Sequence, residues 1–129
     1  MNKMYIAVDF DGTLVTHDYP EVGQELAGAV ETCKALIADG HQLILWTMRS
    51  GEELQDAVQW CFERDIFLVG VNKNPTQESW TQSPKAYASI YIDDAALGAP
   101  LNYNPAFHSR PYVDWIRVKE ILTDMNALL

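Results

Sequence analysis

The amino-acid sequence predicts an α/β protein with an open parallel sheet and helices on both faces. Four short runs of nearly continuous apolar residues are typical of strands that are covered on both sides. Segments with apolar residues at helical spacing lie between them, which favours right-handed βαβ units. At 129 residues the chain has the length of one domain, and we expect residues 1–129 to form a single domain.

The four predicted strands are short and mostly apolar. They are MYIAV at 4–8, QLILWT at 42–47, IFLVGV at 66–71 and SIYI at 89–92. Two stretches, 73–84 and 95–113, show no regular pattern and are predicted to be long connections. Because long connections in small domains are often functional, both are candidates for the border of a site.

Three segments carry apolar side chains on one helical face. They span 24–40, 50–64 and 115–128. Gly40 is a natural residue at the end of the first helix, and Asp114 is a plausible N-cap for the third. The sequence therefore predicts a helix after each of the first two strands and another at the end of the chain.

The formal charge of −9, from 18 acidic and 9 basic residues, narrows the classes of partner. Nucleic acids and anionic membranes need clusters of lysine and arginine, so we expect neither. A phosphorylated small molecule stays compatible, because a bound metal reverses the local field. Cys33 and Cys61 are predicted to be buried free thiols. With no apolar run of membrane-spanning length and no signal-peptide pattern, we expect a cytoplasmic protein.

Acidic residues follow two of the predicted strands, at the edge where open α/β sheets bind ligands. Asp9 and Asp11 follow the first strand, and Asp93 and Asp94 follow the fourth. Carboxylates that converge in this way repel one another unless a cation lies between them. An all-oxygen ligand set with few ligands suits Mg²⁺, which is the predicted cofactor.

These residues suit phosphoryl transfer. Asp9 can attack phosphorus as an ionised nucleophile, while Asp11 protonates the leaving oxygen and then activates water. Gly12 allows a sharp turn that exposes backbone N–H groups. The further candidates for phosphate contact are Thr13, Thr47, Arg49 and Lys85. For Arg49, a solvated position at the start of a helix is an equal alternative.

Four segments, in chain order, resemble the motifs of the haloacid dehalogenase (HAD) superfamily of aspartate-nucleophile phosphatases. They are VDFDGTLV, LILWT, Lys85 and YIDD, and they extend over residues 4–94. The resemblance implies a three-layer Rossmann-like fold with Asp9 as nucleophile and metal ligand. It also implies that Asp11 is the acid/base and binds the metal through its backbone carbonyl.

By the same resemblance, Thr47 and Lys85 bind phosphate. Asp94 is the implied direct metal ligand and Asp93 holds bound water or Lys85, although these two roles can be exchanged. Family members usually carry a cap domain, but the gaps VTHDYPEVG and KNPTQESWTQS are too short to fold alone. The chain therefore resembles the small capless phosphatases, and we expect the first gap to form a flap.

The sequence thus predicts a Mg²⁺-dependent phosphomonoester hydrolase that works through an aspartyl-phosphate on Asp9. Transfer to an acceptor hydroxyl and a catalytically silent phosphate-binding module are the alternatives. We expect an open site bordered by a flap at 17–21, the loop at Arg49 and the loop that holds Trp80. Because catalysis gains from excluding water, we expect the opening to be covered by a second subunit, a large substrate or the 73–84 loop. The loops together with a homo-oligomer contact through Trp80 and Trp115 are the favoured combination.

Overall fold

A computed structural model describes residues 3–129 of the chain. Its main sheet has four parallel strands, β1 to β4, which span Tyr5–Val8, Gln42–Leu45, Leu68–Val71 and Ile90–Ile92. They lie in the order β3-β2-β1-β4, so that β1 is flanked by β2 and β4. The predicted α/β class and the open parallel sheet are confirmed, and each strand falls inside its predicted run.

Three helices, α1 to α3, span Ala29–Ala38, Gly51–Glu63 and Trp115–Asp124. Their buried side chains form one core with Ile6, Val8 and the other strand residues that point to the same face. The helices therefore cover one face of the sheet. Asp114 caps α3 as predicted, because its carboxylate accepts hydrogen bonds from the N–H groups of Ile116 and Arg117.

The opposite face is covered by the connection between β3 and β4. Within this fully described segment the chain forms one turn of 3-10 helix, Gln77–Ser79, and no α-helix. The buried amide of Gln77 donates to the carbonyl of Lys85 and accepts from the N–H of Tyr87. The sequence predicted helices on this face of the sheet as well, and the structure has an irregular segment there instead. The segment lacks apolar residues at helical spacing, and side-chain amides provide hydrogen-bond partners for its backbone groups.

A two-stranded antiparallel hairpin, β5 and β6, lies within the predicted connection 95–113. Its strands are Leu101–Asn102 and Tyr112–Val113. The N–H of Val113 donates to the carbonyl of Gly12 at 2.9 Å, which fixes the hairpin to the loop after β1. The tip of the hairpin, residues 103–111, is thereby held near the carboxyl end of the sheet.

Two aromatic residues expected at a subunit contact lie in different environments. Trp115 is buried, and its indole N–H donates to the carbonyl of Thr13 at 2.5 Å. The prediction that Trp115 offers surface for an oligomer is therefore wrong, since packing against the site loop uses the ring. Trp80 is exposed and packs edge-on against Tyr87.

Cys33 and Cys61 are free thiols in the core, as predicted, and burial raises the pKa of both. Over residues 3–129, no helix combines the length and the apolar character that crossing a membrane requires.

Candidate active site

Three carboxylates meet beyond the carboxyl ends of β1 and β4. Oxygen atoms of Asp9, Asp93 and Asp94 lie within 4.8 Å of one another, and all three residues are half-buried. Because β1 and β4 are paired in parallel, the residues that follow them reach the same edge of the sheet. The structure thus brings together three of the four acids that the sequence assigns to a cation, which we call the acidic triad.

The charge state of Asp9 reflects this crowding. Burial, a hydrogen bond with the Asp94 carboxyl and the negative charge of Asp93 together raise the pKa of Asp9 to about 8. In the absence of a cation, Asp9 therefore keeps its proton to a higher pH than an ordinary aspartate does. A cation between the three carboxylates removes the repulsion and allows Asp9 to ionise.

Gly12 and Thr13 shape the acidic triad through close packing and hydrogen bonds within the protein. Gly12 has a φ of +78°, and a Cβ atom there would lie 2.3 Å from a carboxylate oxygen of Asp94. Its N–H donates to the carbonyl of Val15. The buried hydroxyl of Thr13 donates to Asp9 at 3.1 Å and accepts from the N–H of Asp94 at 3.2 Å. The predicted phosphate contacts of Gly12 and Thr13 are therefore corrected, because these groups are already bonded within the protein.

Asp11 lies outside the acidic triad and pairs with Arg49. Nε and Nη2 of Arg49 each donate to one carboxylate oxygen of Asp11 at 2.8 Å. The other N–H groups of Arg49 donate to the backbone carbonyls of Pro20, Glu21 and Glu53. Hydrogen bonding to Asp11 raises the pKa of this guanidinium. The predicted phosphate contact of Arg49 is corrected, since all five of its N–H groups have acceptors in the protein.

Thr47 lies at the carboxyl end of β2 and faces the cleft, as predicted. Its N–H donates to the side chain of Asn72 at 2.8 Å, and its hydroxyl oxygen accepts from the N–H of Arg49 at 3.1 Å. The hydroxyl proton stays available to an anionic ligand. Thr47 therefore keeps its predicted position, and Asn72 fixes the turn in which it lies.

Lys85 and Trp80 lie on the opposite face of the sheet. The Nζ atom of Lys85 is 5.3 Å from the centre of the Tyr91 ring, and Lys85 and Trp80 line one shallow surface there. Lys85 does not line the cleft, and its contact with phosphate stays a prediction. No residue of the loop that holds Trp80 lines the cleft either, so the prediction that this loop borders the site is corrected.

The acidic triad opens into a cleft of about 600 Å³. Its lining comprises Asp9, Asp11, His17, Tyr19, Thr47, Met48, Arg49, Asp93, Asp94, Ala95 and Arg110. The predicted flap and the loop at Arg49 form two of its borders. The third border is the hairpin tip with Arg110, which the sequence reasoning missed. The sequence marked the connection 95–113 as a candidate border of a site by its length alone, and no pattern within it pointed to Arg110.

The donor set fits Mg²⁺. Carboxylate oxygens are the ligands that Mg²⁺ prefers in proteins, and the acidic triad supplies three of them. The raised pKa of Asp9 also indicates a missing counter-charge, because the carboxylates lie too close together for all of them to ionise without one. Asp93 and Asp94 both offer an oxygen, so either can serve as the direct ligand.

A search of the solved structures gives one strong likeness, described as a conserved protein coded by a locus of Bacteroides thetaiotaomicron. The two chains are 39% identical, with a TM-score of 0.79, over 96% of the present chain and 93% of the other. The present chain belongs to the family of this Bacteroides protein. The two proteins share the α/β fold over nearly the full length of both chains. No protein-family model and no curated protein matches the sequence.

Proposed function

We propose that the protein is a Mg²⁺-dependent phosphomonoester hydrolase of the HAD type that works through an aspartyl-phosphate on Asp9. The observation that carries the proposal is the acidic triad, which sets Asp9 in an open cleft beside two further carboxylates. The segments that resemble the HAD motifs supply these three residues. The buried free thiols are compatible with the proposed cytoplasmic location.

In the first step, a carboxylate oxygen of Asp9 attacks phosphorus. The bond between phosphorus and the ester oxygen breaks, and the leaving oxygen takes its electron pair and a proton from Asp11. In the second step, water attacks phosphorus and gives a proton to Asp11. The bond between phosphorus and Asp9 breaks, so that inorganic phosphate leaves and both aspartates return to their starting states.

The protein holds the reacting groups in three ways. Thr13 donates to Asp9 and fixes its carboxylate, and Thr47 lines the cleft with a hydroxyl proton that it can donate to a phosphoryl oxygen. Mg²⁺, when bound, neutralises the carboxylates and polarises the phosphoryl group. Asp9 is itself half-buried, which restricts the directions from which water can reach its carboxylate.

The role of Asp11 requires a change of partner. Both of its carboxylate oxygens accept from Arg49, so the conformation described here does not present an acid to a leaving group. Opening of this pair precedes proton transfer in the proposed reaction. Transfer to an acceptor hydroxyl in place of water uses the same residues and differs only in the second nucleophile.

The Asp11–Arg49 pair also favours a second candidate function, a phosphate-binding module without turnover. A chain whose acid stays locked would bind a phosphorylated ligand and release it unchanged. The two functions differ in a panel of phosphate esters incubated with Mg²⁺. Release of inorganic phosphate supports the hydrolase, whereas Mg²⁺-dependent binding without release supports the module.

The decisive experiment is Asp9→Asn in that panel. An amide is no nucleophile but has nearly the same shape, so turnover should vanish while the circular dichroism spectrum and melting temperature stay close to those of the wild type. Lys73→Ala is the matched control, because Lys73 lines a separate pocket beside Asn72. Full turnover by Asp9→Asn would exclude the covalent mechanism.

A further inference from the structure

The cleft holds more acidic than basic groups, and this imbalance raises the question of what binds the phosphoryl oxygens. Two arginines, Arg49 and Arg110, are the basic side chains among the cleft-lining residues of the described chain, apart from His17. Arg49 is buried and gives all five N–H groups to protein acceptors. It has no donor left for a ligand.

Two lysines, Lys73 after β3 and Lys85 before β4, are close to the site in sequence but do not contribute to the cleft lining. Lys85 packs over Tyr91 on the opposite face, and Lys73 lines a pocket with Asn72 and Gln77. Neither side chain lines the cleft. Among the cleft-lining residues of the described chain, Arg110 is therefore the one guanidinium or ammonium group whose N–H donors are free for a bound phosphate.

The side chain of Arg110 is exposed and makes no hydrogen bond or ion pair within residues 3–129. It nevertheless lines the same cleft as the four acids of the site. A planar guanidinium can donate two parallel hydrogen bonds to a phosphate group. We propose, on the basis of the proposed function, that Arg110 binds the phosphoryl oxygens of the substrate in the place that the sequence assigned to Lys85.

The backbone around Arg110 is held across the cleft. Its N–H donates to Nδ1 of His108 at 3.1 Å, and Nε2 of the same ring lies 3.1 Å from a carboxylate oxygen of Asp18 in the flap. Asp18 in turn accepts from the hydroxyl of Thr16 at 2.5 Å. This series of contacts joins the hairpin tip to the flap and positions Arg110 opposite the acidic triad. His108 and Asp18 are positioning residues in this arrangement.

The test measures binding of inorganic phosphate by titration calorimetry in the presence of saturating Mg²⁺. Arg110→Ala should weaken phosphate binding by about 10- to 100-fold, the range expected for lost charge-assisted hydrogen bonds. Arg110→Lys should recover part of the loss, because the charge returns without the planar fork. Lys85→Ala and Lys73→Ala should bind phosphate within about twofold of the wild type, since neither residue lines the cleft.

Kinetics give a second measurement on any ester that is hydrolysed. Arg110→Ala should raise KM for the phosphate ester, and the rise should be larger than any change for Lys85→Ala. Unchanged phosphate binding by Arg110→Ala, an equal loss in Lys85→Ala, or no phosphate binding by the wild type would each overturn the assignment.

The outcomes separate this inference from the proposed function. Phosphate binding that depends on Arg110, without turnover of any ester, supports the assignment and removes the hydrolase. Turnover that depends on Asp9 but is indifferent to Arg110 supports the hydrolase and removes the assignment.

Discussion

Arg49 and Asp11 form a bidentate ion pair, with two hydrogen bonds of 2.8 Å between the loop after β2 and the loop after β1. The side chain of Arg49 is 1% exposed and that of Asp11 is 12% exposed. The same guanidinium bonds two flap carbonyls, Pro20 and Glu21, and the Glu53 carbonyl in α2. One side chain therefore joins the proposed acid, the flap and a helix.

Replacement of Arg49 by alanine should lower the free energy of unfolding by about 3–5 kcal/mol. The substitution leaves a poorly solvated Asp11 carboxylate and three carbonyls without their donor. Urea denaturation measures the change. Arg117→Ala is the control, because its ion pair with Glu120 is exposed and should contribute less than about 1 kcal/mol. Equal losses in the two variants would contradict the structural role of Arg49.

Asp11→Asn should reduce kcat by about 10²- to 10⁴-fold for alkyl phosphate esters, because an amide cannot protonate the leaving oxygen. The first step should be less affected with a nitrophenyl phosphate, whose leaving group departs without a proton. Burst kinetics on both esters separate the two steps. If the first step slows equally for both esters, Asp11 is not the general acid.

Removal of Mg²⁺ with a chelator should abolish turnover and lower the melting temperature near neutral pH, since the acidic triad then loses its counter-charge. Mg²⁺ added back should restore both. Ca²⁺ should restore the melting temperature without the rate, because its larger and looser ligand shell spoils the geometry of attack. Calorimetric melting and an assay for released phosphate give the two measurements. Full activity in excess chelator is incompatible with the proposed cofactor.

The metal-free protein should lose stability as the pH rises from about 4 to about 8. In this window the unfolded chain has released the Asp9 proton, whose ordinary pKa is 3.8, while the folded chain retains it up to a pKa of about 8. The folded state binds more protons, so the free energy of unfolding falls with rising pH. Urea midpoints at four pH values measure the slope. Asp9→Asn should lack this contribution, and a slope unchanged by that substitution would refute the assignment.

Gly12→Ala should abolish Mg²⁺ binding, because the new methyl group would overlap the Asp94 carboxylate. Gly98 offers a matched control, since it also has a positive φ but no atom within 4 Å of an added Cβ. Gly98→Ala should cost about 1–2 kcal/mol from backbone strain and leave Mg²⁺ affinity intact. Calorimetric titration with Mg²⁺ compares the two. Similar affinities in both variants would show that Gly12 does not shape the site.

The sequence predicted what depends on short segments of chain. The acids of the triad follow directly after buried strands, and parallel strands place such residues at one edge, so local pattern was sufficient to predict their meeting. Thr47 was placed correctly for the same reason. The α/β class followed from strands and helices that are each recognisable within about ten residues.

Features that depend on the path of long connections were not predictable from local pattern. Lys85 precedes β4 in the order expected from the HAD motifs, but its side chain packs over Tyr91 and does not line the cleft. The bond between Arg49 and Asp11 joins residues 38 positions apart, and no local pattern indicates it. Arg110 reaches the cleft because the hairpin is bonded to Gly12 and, through His108, to Asp18 of the flap. Such contacts are set by tertiary packing.

Both native thiols are sealed in the core, where the reactive thiolate form is scarce. The folded protein should consequently show little labelling of its native cysteines by maleimide reagents. A single cysteine introduced at the hairpin tip, for example by Pro105→Cys, would be the one site that takes up a fluorophore under native conditions. A second dye on the flap would then turn the distance across the cleft into an optical signal, and opening and closing could be timed on single molecules.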